Sequence, residues 1–216
     1  MKYYSDIEQG TSEWQELKRG RIGGTRAKGL MTKGDTLFYD LLAEISEPFD
    51  ENDSDQYTSE EMQYGIFLEP EARGELSKYI GVELFECGYI TNTMELLGLS
   101  PDGISADKKI MCEIKCPQAK RHLMTCLRDE IPLDNIHQCI HYFTVSDELE
   151  RLYFCSYRPQ SYKQIFVKEL TRESLVNVGT EAKPVMRTIS DQVSLSKIEA
   201  LALQDQLNKS IEKLKF

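Results

Sequence analysis

The stretch "KIMCEIKC", residues 109–116, constrains the fold of this chain more than any other. A strand entering a core alternates apolar and polar residues, and its charges should face water. Here Ile110, Cys112, Ile114 and Cys116 fall on one face, while Met111, Glu113 and Lys115 fall on the other. Simple amphipathicity accounts for that pattern, and so does an acidic metal cradle with a lysine beside it.

The residues just upstream bear on the choice. Asp102 sits in "SPDG", a Pro-Asp-Gly turn signal that is consistent with a plain β-turn. Glu113 and Lys115 are two apart, so on a strand their side chains emerge together. Ten residues separate Asp102 from Glu113, a spacing that suits two neighbouring strands joined by the short turn "SADKK". That pairing sets the carboxylates side by side, where they repel unless a cation lies between them. Few, hard oxygen ligands suit Mg²⁺, which keeps several waters and completes its shell with phosphate oxygens. Lys115 would then orient or help deprotonate an attacking water, or neutralise charge at phosphorus.

Composition narrows the class. The 216 residues suffice for one sizeable core and are marginal for two. With 40% hydrophobic and 29% charged residues the chain reads as soluble. No stretch approaches the roughly 18 apolar residues of a membrane span. The opening "MKYYSDIEQGTSEW" lacks a signal peptide's apolar segment, so an intracellular, cytoplasmic protein is expected. The six cysteines form no C-x-x-C pair and read as reduced core residues. Cys112, Cys116 and Cys126 are the alternative, an iron–sulfur set, but the first two are well separated along the expected strand. The 26 basic and 36 acidic residues leave a net charge of −10, which argues against a protein coated in nucleic acid. That mean hides a segregated patch: Lys18, Arg19, Arg21, Arg26, Lys28 and Lys33 lie between Leu17 and Gly34 with no acidic residue among them.

Along the chain, "TSEWQELKRG" predicts a helix, with Ser12 and Gln15 at capping-box spacing and Gly20 as the stop. "RIGGTRAKGLMTKG" predicts a basic, glycine-rich loop, "DTLFYDLLAEIS" a helix and "EPFDENDSDQYTS" an acidic surface loop. A long helical pattern begins near Thr58 and runs through "EEMQYGIFLEPEARGELSKYIG", where Pro70 should kink or restart it. Strands are expected over "VELFECGYI", "LLGLSPDGI" and "KIMCEIKC", helices over "QAKRHLMTCLRD" and "LDNIHQCIHYFTVS", then strands over "RLYFCSYR" and "KQIFVKEL". A tail at about 194–216 places Leu195, Ile198, Leu201, Leu207, Ile211 and Leu214 on one helical face. With no repeat or linker, residues 1–216 read as one α/β domain.

The D-x10-E-x-K pattern is that of the PD-(D/E)xK nuclease superfamily, and its surroundings resemble the bacteriophage lambda exonuclease family, the YqaJ-type viral recombinase nucleases. "QGTSEWQELKRGRIGGT" is similar to that family's opening, "YGIFLEPEAR" to its G-x-x-x-E-x-x-A-R helix, and "SPDGI…CEIKCP" to its core motif. "HQCIHYFTV" and "YFCSYRP" follow in order, so the resemblance covers roughly residues 8–160.

The resemblance implies a restriction-endonuclease-like core, a central mixed sheet flanked by helices. It implies a Mg²⁺-dependent 5′→3′ exonuclease on double-stranded DNA ends, with Mn²⁺ able to substitute and two ions per site. The products are 5′-mononucleotides and a 3′ single strand, which feeds a single-strand annealing protein for DNA recombination. It further implies a homotrimer, with a phage or prophage protein at work in the host cytoplasm. By matching position, Asp102 and Glu113 would be metal ligands together with the carbonyl of Ile114, and Lys115 would position and activate the water. Glu69 would support the second metal, and Gln138 would hold water or a ligand nearby. Lys18 stands at the family's phosphate-gripping Arg, a change that loses the bidentate fork, so Arg19 or Arg21 would share the grip. Thr25 and Ser100 match its hydroxyls, and Met62 stands near its strand-separating wedge. Two departures are Pro70 directly after Glu69 and Ile140 where a second Gln is common. The alternatives are an endonuclease or Cas4-like exonuclease of the same superfamily, the latter disfavoured by the missing cysteine cluster, or a non-catalytic DNA-binding recombination scaffold. A metabolite-binding α/β protein lacks any Gly-rich dinucleotide fingerprint.

Overall fold

Each six- or seven-residue run of alternating side chains becomes a strand of one sheet, and the helical patterns supply its covers. In the computed structural model, which describes residues 1–32, 34–49 and 59–215, the order is β1 (Lys2–Tyr4), α1 (Ser12–Lys18), a 3-10 turn (Gly24–Arg26), α2 (Ala27–Thr32), α3 (Asp35–Ser46), α4 (Glu60–Ile80), β2 (Tyr89–Thr91), β3 (Gly98–Leu99), β4 (Gly103–Ile104) and β5 (Ile110–Lys115). Then come α5 (Ala119–Arg128), α6 (Leu133–Val145), β6 (Arg151–Tyr157), β7 (Ile165–Leu170), β8 (Leu175–Asn177), β9 (Met186–Thr188) and α7 (Ile189–Leu214). Lys33, most of the acidic stretch at 47–59 and the helix start expected at Thr58 lie outside the described residues.

The site-bearing sheet runs β4-β5-β6-β7 and is mixed. β5 is antiparallel to β4 and parallel to β6, and β6 is antiparallel to β7. A parallel pair cannot be closed by a hairpin, so α5 and α6 make the crossover from β5 to β6. β1-β2-β3 and β8-β9 form smaller antiparallel sheets.

The alternation in β5 divides the core as expected. Ile110, Cys112 and Ile114 pack with Tyr153, Cys155 and Tyr157 against Ala72 and Leu76 of α4. Met111, Leu152 and Phe154 face the other way, into a larger cluster with Tyr142 and Phe143 of α6 and Val193, Ala200 and Leu207 of α7. The central mixed sheet flanked by helices is therefore the observed architecture, and all six cysteines are free.

Several local expectations are corrected. The cap of α1 is Thr11, whose hydroxyl accepts from the Trp14 N–H, so Ser12 is already the first helical residue. The basic loop is partly helical, because "AKGLMT" buries Ala27 and Leu30. α4 is capped by Ser59 and continues from Glu60 to Ile80 with Pro70 inside it, so the helix does not restart there. Pro70 and Ile66, whose carbonyl loses its helical donor, both face solvent. α7 starts at Ile189, and its buried stripe runs through Ile189, Val193, Ser196, Ala200 and Leu207. Ile198 and Leu201 of the expected stripe are 61% and 56% exposed. The small Ser196 and Ala200 set the buried face because they allow close approach of neighbouring helices.

Candidate active site

The pairing of β4 with β5 sets Gly103 opposite Cys112, which brings Asp102 to the end of β5. Asp102 Oδ2 accepts a 2.6 Å hydrogen bond from the Ile114 N–H. Glu113, next to Ile114, is 0% exposed, and its Oε1 has no aligned hydrogen-bond donor. The Lys115 ammonium nevertheless stands 2.5 Å from that oxygen as an ion pair. At that distance the ammonium is a close counter-charge to Glu113. On the other side, the Tyr142 hydroxyl lies 2.8 Å from Glu113 Oε2 and 3.0 Å from the Cys112 carbonyl, its one proton shared between two acceptors.

From α4, Glu69 accepts a 3.0 Å hydrogen bond from Arg73, one turn on. Arg73 also donates to the Asp102 carbonyl at 2.6 Å and to Glu86 at 3.0 Å, tying the helix to the turn that carries Asp102. Met62, Glu69, Asp102, Ile114 and Lys115 all line one cleft of about 1280 Å³ between α4 and α5, with Lys120 and Arg158 also on its wall.

The electrostatics follow from this crowding. Burial, then Glu113 and Glu69, push the Asp102 carboxyl well above the ordinary range, against the opposing Lys115 charge and Ile114 bond. Glu69 is raised too, by burial first, although Arg73 pulls it down. Burial alone would lower Lys115, but Glu113 and Asp102 outweigh it and hold the ammonium firmly charged. Burial, Glu69 and Asp102 push the neighbouring Cys116 thiol up to about 12, which removes it as a nucleophile.

This donor set fits a divalent cation. It offers two repelling carboxylates, one with a buried oxygen lacking an aligned donor, with the Lys115 ammonium 2.5 Å from Glu113 and the Arg73 guanidinium on the Asp102 carbonyl. Among the described residues, no three His, Cys, Asp or Glu side chains form a ready metal cluster. Asp102 and Glu113 are the pair the fold brings together, while Glu69 borders the same cleft bound to Arg73.

A second group forms at α1. The Trp14 indole N–H lies 2.8 Å from Ser100 Oγ, and Lys18 Nζ sits 3.5 Å above the ring centroid. One indole thus places Lys18 and Ser100 together, two residues before Asp102. Burial and the nearby Arg26 lower Lys18 to about 8, against a raising effect of Glu44. Arg26 is committed to Glu44 through both ends of its guanidinium. Arg19 and Arg21 are not brought to Ser100: Arg19 lies over the Phe49 ring, and Arg21 donates to the Leu17 and Glu95 carbonyls. Thr25 is exposed on the 3-10 turn, beside Gly24, which packs on Gln138 of α6. His122 and His141 are buried against the carbonyls of Lys163 and Gly98, structural rather than catalytic placements.

Tyr142, Arg73 and the double role of Trp14 escaped sequence reasoning. Arg73 and Trp14 stand in the motifs quoted for the resemblance, which gave them no role, and Tyr142 lies one helical turn after Gln138, on the same face.

The profile of the YqaJ-like viral recombinase domain matches residues 13–148. Among solved structures, an alkaline exonuclease from Laribacter hongkongensis is 24% identical, superposes with a TM-score of 0.74 and is covered over 96% of its length by 95% of this chain. The same figures hold for that exonuclease in complex with dAMP. No curated protein sequence matches this chain.

Proposed function

Given that this chain belongs to the YqaJ-like viral recombinase domain family, we propose that it is a divalent-metal-dependent exonuclease on double-stranded DNA ends, working 5′→3′ and releasing 5′-mononucleotides. The observation that carries this reading is the pairing of half-buried Asp102 with buried Glu113, Lys115 beside them, at a cleft of about 1280 Å³. The similarity of fold to an alkaline exonuclease supports it.

Asp102, Glu113 and the Ile114 carbonyl would hold Mg²⁺, or Mn²⁺ in its place, which supplies Lewis-acid polarisation of a phosphate oxygen and a more acidic water. Arg73 keeps Asp102 and Glu69 in register by bonding the main chain of one and the side chain of the other. Glu69 would serve a second ion only after leaving Arg73. Lys115 stays protonated while both carboxylates are charged, so in this state it donates: it holds the attacking water or the developing phosphate charge by hydrogen bonding. Met62, 56% exposed on the first turn of α4, would part the strands at the cleft's edge. Lys18 and Ser100, aligned by Trp14, would take the 5′-phosphate. A trimer, an annealing-protein partner and a single nuclease domain over 1–216 belong to the same reading.

The test uses linear duplex labelled at the 5′ or the 3′ ends, with Mg²⁺ or EDTA. Mg²⁺-dependent release of mononucleotides from the 5′ ends, with a closed circle left intact, is the expected result. Cutting of the circle would make the chain an endonuclease, and binding without hydrolysis would make it a scaffold.

The phosphate grip has its own signature. Lys18 loses its charge as pH rises through about 8, so the KM for 5′-phosphorylated ends should climb above that pH. Lys18→Arg should keep KM flat to pH 9.5, because a guanidinium does not titrate there. Lys18→Ala should raise KM by about tenfold at pH 7, the scale of one charge-assisted hydrogen bond. A wild-type KM that ignores pH between 7 and 9 would remove Lys18 from the grip.

A further inference from the structure

The Glu113 carboxylate is held unevenly. Its Oε2 lies 2.8 Å from the Tyr142 hydroxyl, while Oε1 faces only the Lys115 ammonium at 2.5 Å. Both Glu113 and Tyr142 are 0% exposed, so water cannot substitute for either contact. The last torsion of a glutamate is broad and two-fold, and packing alone sets it weakly. A hydrogen bond to one oxygen sets it firmly, and here the donor also reaches the Cys112 carbonyl, the main chain directly before Glu113. Tyr142 sits in the last turn of α6, in a run buried from Cys139 to Val145 that holds it in place.

From this geometry we propose that Tyr142 is a positioning residue: its hydroxyl fixes the rotation of Glu113 so that Oε1 is turned towards Lys115, ready to take a divalent cation. The proposal rests on the nuclease reading above. The bland account, an aromatic ring that merely fills the core, needs no hydroxyl. A hydroxyl facing a buried carboxylate is what the positioning role requires and the filling role does not.

The experiment uses the full chain as wild type, Tyr142→Phe and Glu113→Gln, with calorimetric titration by Mn²⁺ and hydrolysis of linear duplex across a Mg²⁺ series. Glu113→Gln should abolish Mn²⁺ binding, which shows that the titration reports this site. Tyr142→Phe should bind Mn²⁺ about 10- to 100-fold more weakly and need correspondingly more Mg²⁺ at half-maximal rate, with the KM for DNA unchanged. Wild-type metal affinity in a folded Tyr142→Phe chain overturns the proposal. A wild-type chain that neither binds Mn²⁺ nor hydrolyses DNA overturns the nuclease reading and this proposal with it, and is seen before any variant is made. Should Tyr142→Phe not fold, 3-fluorotyrosine at 142 keeps the ring and strengthens the donor. A threefold or larger change in Mn²⁺ affinity then supports the positioning role, and an unchanged affinity overturns it.

Discussion

Lys115→Ala is expected to slow phosphodiester hydrolysis by about 10²- to 10⁴-fold while leaving duplex binding in place. The lysine lines the cleft with its ammonium 2.5 Å from Glu113 Oε1. Its loss also leaves a buried anion without a counter-charge. The metal-free variant should therefore lose about 1–3 kcal/mol of stability, a range kept low because the Lys115 side chain is 37% exposed and partly screened. Rates of mononucleotide release, duplex binding by fluorescence anisotropy in Ca²⁺, and thermal unfolding in EDTA separate the two effects. Hydrolysis at the wild-type rate in this variant would remove Lys115 from the chemistry.

Asp102→Asn should do the opposite to stability and the same to activity. Its pKa in the folded chain stands well above the ordinary 3.8, because burial, Glu113 and Glu69 all disfavour the anion. The folded state then holds its proton to higher pH than the unfolded state does. Its charge consequently costs nothing below the ordinary value and costs progressively more as pH rises through the gap. An asparagine still accepts from the Ile114 N–H yet carries no charge, so the variant should be the more stable in EDTA, by about 1–2 kcal/mol or roughly 3–6 °C in Tm at pH 8. The gain should shrink towards pH 5. Hydrolysis should fall by about 10³-fold or more, since a principal ligand is gone. A variant that melts below the wild type at pH 8 would show that the Asp102 carboxylate stabilises the metal-free chain and overturn this account. The site is thus built at the expense of stability, as sites for charged chemistry usually are.

How far this was legible in the sequence depends on the length of each signal. β5, β6 and β7 are six or seven residues long, enough for a period of two to declare itself, and the two faces of β5 emerge as its alternation demands. The Asp102, Glu113 and Lys115 constellation was readable because two local spacings, turn to strand and i to i+2, determine it. β1, β8 and β9 have three residues each, too few to show any period, and went unseen. "VELFECGYI" read as a full strand, yet only Tyr89–Thr91 is one, since Leu84 and Cys87 are buried without a ladder. The basic segment misled for a different reason. Glycines and charges suggested a loop, but Ala27 and Leu30 find partners in the core, and tertiary burial outweighs weak propensity. Contacts such as Tyr142 to Glu113 join residues 29 apart in the chain, and no local pattern encodes them.

Gly24 has no side chain, and a Cβ there would stand 2.8 Å from Gln138 Cγ. The turn that carries Thr25 therefore packs closely on the Gln138 side chain of α6. One turn further along, the same helix delivers the Tyr142 hydroxyl to Glu113. Close-packed surfaces transmit displacement instead of absorbing it. α6 thus joins the two regions: it meets the basic segment through Gln138 and the carboxylates through Tyr142.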